Sequence, residues 1–223
     1  MPRTLVALGL AAALALSACS VGTPPSADGP VADVAIQDDD GLNGAVLPDP
    51  YAAPDLSLTS TDGTDYRLDR GTAKAGDKVT LVFFGYTNCP DICHVVMADI
   101  ASALTRLDDE QRERVGMQFV TTDPARDDAA VLRSYLDRFD PTFDGLTGPL
   151  TRIVRVGNAL GVPIEKGEKM PSGGYEVSHG TQIVGVLPDG TAPVVWTEGT
   201  GPELIADDLR TILTDGIPSG ASS

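Results

Sequence analysis

The chain has 223 residues, a formal net charge of −16 and three cysteines. That length can bury one good core. The acidity excludes nucleic acid as a natural partner, because a polyanion is repelled, and three thiols exclude a disulfide-stapled scaffold.

Residues 1–18 read as a signal peptide. Arg3 is a short positive segment, and the apolar stretch from Leu5 to Leu16 is too short to span a bilayer stably. Leu16-Ser17-Ala18-Cys19 then resembles a bacterial lipobox, which makes Cys19 the expected lipidation site and new N-terminus. Acyl chains on Cys19 would anchor the protein on the extracytoplasmic face of the cell membrane without a spanning helix. Residues 19–50, with Pro24, Pro25, Pro30, Pro48, Pro50 and the acidic run Asp38-Asp39-Asp40, are expected to be a flexible tether. A folded domain is expected over residues 51–215, followed by a small, polar tail, 216–223.

Within the domain, Leu56-Ser57-Leu58 and Tyr66-Arg67-Leu68 predict a short hairpin around Asp62-Gly63. Lys78 to Gly85 predicts a strand apolar on both faces, as in the middle of a covered sheet. Helical spacing of Val95, Val96, Ile100, Ala103, Leu104 and Leu107 predicts a helix from Asp91 to Leu107. Gly116 to Thr121 predicts a strand. Asp127 to Phe139 predicts a helix with Val131, Leu132, Tyr135, Leu136 and Phe139 inward. A short strand or loop at Leu146 to Gly148, a helix from Thr151 to Leu160 and a loop from Pro163 to Gly174 come next. Gln182 to Leu187 and Pro193 to Thr197 predict a second hairpin, with Trp196 in the core, and Glu203 to Leu213 a closing helix. The alternation predicts an α/β fold of the thioredoxin-like kind, a central mixed sheet flanked by helices.

Cys89-Pro90-Asp91-Ile92-Cys93 follows directly on the apolar strand. Pro90 suits a first helical turn. Cysteines four apart there can face one side, within reach of one metal ion or of each other. Soft-metal binding and reversible disulfide formation are both open. The helix N-terminus is expected to lower a nearby thiol pKa. Only two histidines occur, His94 and His179. His94 adjoins Cys93 and diverges from it by about 100° on a helix, which makes it a poor third ligand. His179 follows a glycine-containing loop, Gly173 to Ser178, that can bring it over the cysteines. Asp123 is expected to cap a turn with Pro124 at its first position. Met170 reads as a loop residue covering apolar surface, with an auxiliary soft ligand as the alternative.

Phe84-Gly85-Tyr86-Thr87-Asn88-Cys89-Pro90-Asp91-Ile92-Cys93 resembles the signature of the Sco/SenC copper proteins of cytochrome oxidase assembly. Thr121-Thr122-Asp123-Pro124-Ala125-Arg126-Asp127, Phe143 to Gly148 and Tyr175-Glu176-Val177-Ser178-His179 match further stretches of that family in order. The resemblance implies one copper, Cu(I) and also Cu(II), held by Cys89, Cys93 and His179. It further implies delivery of copper to, or thiol reduction of, the binuclear copper centre of cytochrome c oxidase subunit II. Other copper chaperones and thioredoxin-like reductants are further implied partners. Family members often carry an acid just before the ligand histidine, where this chain has Ser178. The rival function is that of a thiol–disulfide oxidoreductase, in which Cys89 and Cys93 are the catalytic redox pair and no histidine is needed.

Overall fold

The computed structural model describes residues 41–70, 79–90, 92–169 and 175–218; the side chains of 165–169 and 175–179 lie outside the description. Ten strands and five helices are found among these residues. In chain order they are β1 (Ala45–Ala52), β2 (Ser57–Ser60), β3 (Asp65–Arg67), β4 (Val79–Gly85), α1 (Ile92–Leu104), α2 (Asp109–Arg112), β5 (Val115–Thr121), α3 (Ala129–Leu136), β6 (Asp144–Thr147), α4 (Leu150–Ala159), β7 (Ile164–Lys169), β8 (Tyr175–His179), β9 (Ile183–Val186), β10 (Thr191–Trp196) and α5 (Pro202–Asp215). Eight strands form one mixed sheet in the order β1-β10-β9-β4-β5-β6-β2-β3, and β7 pairs with β8 in a separate ribbon.

The sheet centres on β4, whose seven residues are all buried. It runs parallel to β5 in unbroken register from Val79↔Val115 to Gly85↔Thr121, and antiparallel to β9 on its other side. Its side chains alternate between two cores, as the two-residue strand period requires. Val79, Leu81 and Phe83 face a layer built from α1, α3 and α5. Val82 and Phe84 face the other layer, which contains Ile153 and Val156 of α4. A strand covered on both sides can bury every residue, which is why its sequence is continuously apolar.

Most expected elements are present, with informative departures. The strand β1 begins at Ala45, inside the stretch read as tether. It is an edge strand whose register shifts between Val46 and Tyr51, spanning Pro48 and Pro50. Edge position and a bulge are where a strand tolerates proline. The stretch read as a loop after Pro163 instead forms β7, with Ile164 opposite His179 and Lys166 opposite Val177. Val95 and Val131, assigned inward by helical spacing, are 53% and 37% exposed. Met97 is buried instead, and Trp196 is fully buried, as expected. The short helix α2 has a reciprocal capping box between Asp108 and Gln111. Residues 1–40, with Cys19 and the signal segment, and Met170 lie outside the described residues.

Candidate metal and thiol centre

The thiol pair sits where β4 ends and α1 begins. Tyr86 to Cys89 forms a turn closed by the Cys89 N–H donating to the Tyr86 carbonyl at 3.1 Å. Cys93 lies in the first turn of α1. Both cysteines are buried, Cys93 completely, and both belong to the core layer of α1 and α5. They are not joined by a disulfide, and the two thiols are hydrogen-bonded to each other.

The electrostatics at Cys93 differ from the sequence expectation. Burial pushes its thiol well above the usual range, and the hydrogen bond to Cys89 adds to this. Backbone hydrogen bonding from Tyr86 acts the other way but does not win. A helix N-terminus favours thiolate only as far as solvent or a counter-charge shares the cost of desolvation. Gly85 is what lets the sulfur pack so close to the strand. A Cβ there would stand 3.1 Å from the Cys93 sulfur and 3.0 Å from the Phe119 ring.

A buried carboxylate holds the loop before Cys89. Asp127 accepts the Thr87 N–H at 2.9 Å, the Thr87 hydroxyl at 2.6 Å and the Thr121 hydroxyl at 2.7 Å. One side chain thereby ties the thiol loop to the end of β5 and the approach to α3. Thr122 adds a second tie, its N–H donating to the Gly85 carbonyl at 2.7 Å. Asp123 does not cap with its side chain. Its carbonyl accepts from the Arg126 and Asp127 N–H groups, and its carboxylate pairs with the Arg126 guanidinium. The cap of α3 is Asp128, which accepts the Val131 N–H at 2.9 Å.

An aromatic wall flanks the pair. The Tyr135 ring packs on Phe119, Phe139 and His94, with centroids 5.4, 5.2 and 5.5 Å away. His94 is exposed, but its ring is engaged in this wall. The Tyr135 hydroxyl is buried with no hydrogen-bond partner among the described residues. Burial raises its pKa, and the charges of Cys93 and then Cys89 raise it further. The phenol is therefore within electrostatic reach of the thiol pair.

His179 ends β8, in register with Ile164, and its side chain lies outside the described residues. Among the described residues no cluster of three histidine, cysteine, aspartate or glutamate side chains suited to a metal ion is found. The two adjacent thiols are a donor set for a soft, low-coordinate metal, or for disulfide formation. Sequence reasoning found both thiols but missed the roles of Thr87, Asp127 and Tyr135. The available signal was Asp127 standing in a motif otherwise explained as a turn.

A dithiol at the C-terminal end of the central strand of a helix-flanked mixed sheet defines a thioredoxin-like thiol protein. The chain belongs to the SCO1/SenC family, whose model matches residues 51–214. It is 35% identical to a "Putative copper-binding protein" of Stutzerimonas stutzeri over 68% of this chain and 72% of that one. The solution structure of apo Sco1 from Thermus thermophilus is similar, with a TM-score of 0.67 and 29% identity over 77% of this chain and 96% of that one. Bradyrhizobium japonicum ScoI, solved with copper bound, has a TM-score of 0.60 and 30% identity over 73% of this chain and 96% of that one. The chain spans about half the length of the mitochondrial SCO2 homologues it matches.

Proposed function

We propose that this protein is a copper metallochaperone for the binuclear copper centre of cytochrome c oxidase subunit II. The observation that carries the reading is the buried, unbridged Cys89–Cys93 pair at the β4–α1 junction, in a chain similar to a Sco protein solved with copper bound. Cys89 and Cys93 supply two thiolates and His179 an imidazole. That set suits Cu(I), and Cu(II) with one further ligand. Copper is the cargo. It leaves by ligand exchange, the recipient's cysteines replacing the chain's own donors one at a time. The protein works at the extracytoplasmic face of the cell membrane, held by lipid on Cys19. That Ser178 stands where family members often carry an acid predicts weaker orientation of His179.

The test is an anaerobic Cu(I) titration of the reduced protein against a competing chelator, beside His179→Ala. The expected result is a one-to-one complex that the substitution weakens by about ten-fold or more. Binding indifferent to His179 would overturn the ligand set.

The hydrogen bond between the two thiols favours a second reading, a thiol–disulfide oxidoreductase that keeps the oxidase cysteines reduced. In that reaction the Cys89–Cys93 dithiol gives up two electrons and two protons to a partner disulfide and becomes a disulfide itself. His179→Ala would leave dithiol exchange intact. Oxidase maturation that survives this substitution would favour the reductase.

A further inference from the structure

Beside the thiol loop lies a groove of about 540 Å³. Thr87 and Asn88, the two residues immediately before Cys89, form one wall, and Val131, Ser134, Tyr135 and Arg138 on and just beyond α3 form the other. Its volume lies in the range of small-ligand sites, enough for a few residues of peptide.

The charge in this groove is unusual for the molecule. Among the described residues Arg138 is the one charged residue lining it, in a chain of net charge −16. The described acids nearest the groove are engaged. Asp127 holds the thiol loop, Asp128 caps α3, and Asp137 pairs with Arg133 at 2.8 Å. Arg138 has no carboxylate partner among the described residues. Its guanidinium lies 4.8 Å from the Tyr135 ring centroid, its Nε donates to the Tyr135 carbonyl at 3.3 Å, and the residue is exposed. The stacked, tethered guanidinium is held in place with its remaining donors able to take a carboxylate in a fork. The Tyr135 hydroxyl is a second polar group without a partner among the described residues, in the same wall.

We propose that this groove docks an acidic, extended segment of the protein that receives the copper. Arg138 takes a carboxylate of that segment, and Asn88 and Ser134 offer hydrogen-bonding groups to its backbone. The half-exposed Val131 provides apolar contact. This rests on the metallochaperone reading and deepens it. A segment seated against Thr87 and Asn88 lies next to Cys89, so docking and ligand exchange are brought together. Arg70, Arg114, Arg152 and Arg155 also have no ion pair among the described residues; Arg138 differs from them in lining the groove beside Cys89, and its charge favours an acidic segment landing there.

The test uses the reduced, copper-free protein at low salt. The probes are a short Gly/Ser-rich peptide carrying glutamates and its glutamine counterpart, followed by amide NMR shifts. The glutamate peptide is expected to shift the Thr87, Asn88 and Ser134 amides and to bind about ten-fold more tightly than the glutamine peptide. R138Q should erase that preference. S134W, which fills the groove from an exposed position, should abolish the shifts while the rest of the spectrum stays folded. Equal binding of the two peptides, a preference that survives R138Q, or shifts centred elsewhere would overturn the proposal. So would concentration-dependent self-association that covers the same amides, since a second copy would then be the occupant. A parallel Cu(I) titration separates the two failures. Copper binding without peptide binding overturns the groove alone, whereas peptide binding without copper binding leaves the groove standing and removes the cargo.

Discussion

Two buried aspartates do similar chemistry at two places in this molecule. Asp127 gathers Thr87 and Thr121 under the thiol loop. Asp208 of α5 accepts the Asn43 N–H at 2.8 Å, the Asn43 amide at 2.7 Å, the Gly44 N–H at 2.8 Å and the Trp196 indole N–H at 2.7 Å. Each carboxylate stays in a dry interior because its oxygens meet several donors. What they fasten is different. Asp208 joins the segment entering β1, the last residue of β10 and α5, so it closes the edge of the sheet. Asp127 joins the residues just before Cys89 to the frame, so it sets where the thiols stand. The same device serves folding in one region and site geometry in the other.

Breaking each anchor should separate those two roles. The largest effect on stability is expected from Asp208→Ala, which strands the buried Gly44 N–H and Trp196 indole N–H and releases the two part-buried donors of Asn43. It should lower the unfolding free energy by about 4 kcal/mol in a urea melt, while the folded fraction keeps its Cu(I) affinity. Asp127→Ala should cost somewhat less, about 3 kcal/mol, and in addition weaken Cu(I) binding by about ten-fold, the usual scale for a lost supporting shell. Equal copper affinities in the two variants would erase the contrast. Gly85→Ala sharpens it from the other side. The new methyl presses on the Cys93 sulfur and Phe119, so copper affinity should fall while stability drops by only about 1 kcal/mol. Chelator competition and a urea melt on the same sample decide it.

The smallest effect belongs to the turn between β9 and β10, remote in sequence from both anchors. Asp189 accepts the Thr191 hydroxyl at 2.6 Å and the Thr191 N–H at 2.9 Å. These bonds hold its carboxyl below the usual range, the hydroxyl being the larger cause. A depressed carboxyl stabilises the fold above its unfolded pKa, about 3.9, and that contribution is lost as pH falls through the lower folded value. Asp189→Ala should therefore lower stability slightly at neutral pH, leave it nearly unchanged at the acid end and so flatten the acid limb, read by thermal melts from pH 2 to pH 7. The next residue, Gly190, should tolerate change far less. It has φ +83°, and a Cβ there would stand 2.6 Å from the Asp69 carbonyl oxygen.

Sequence periodicity reveals which element is covered on which side. It is weaker at the ends of the stripes. Val95 and Val131 continue the helical pattern yet stand open, because the spacing shows a face but not how far the neighbouring layer extends. The segment Ile164-Glu165-Lys166-Gly167-Glu168-Lys169 looks like a loop because it is polar and contains glycine. It becomes β7 because the neighbouring strand β8 pairs with it, and strand formation here is decided by the partner and not by the segment's own composition. Pro48 and Pro50 likewise suggest a tether, and only the edge position of β1 makes them compatible with a strand.

The sequence by itself determined the thiol pair, its place after a fully buried strand, the alternation that makes the sheet, and the family. These features are local, so short-range spacing and side-chain chemistry are enough to write them. The tertiary structure decided the rest. It showed that Cys93 is buried enough to hold its proton against the helix N-terminus, and that Asp127 steadies the loop while Asp128 caps α3. It also left Arg138 without a carboxylate partner among the described residues, in a groove beside the thiol loop. Each of these depends on which groups meet across the fold and how much water remains between them, and neither quantity is carried by neighbours along the chain.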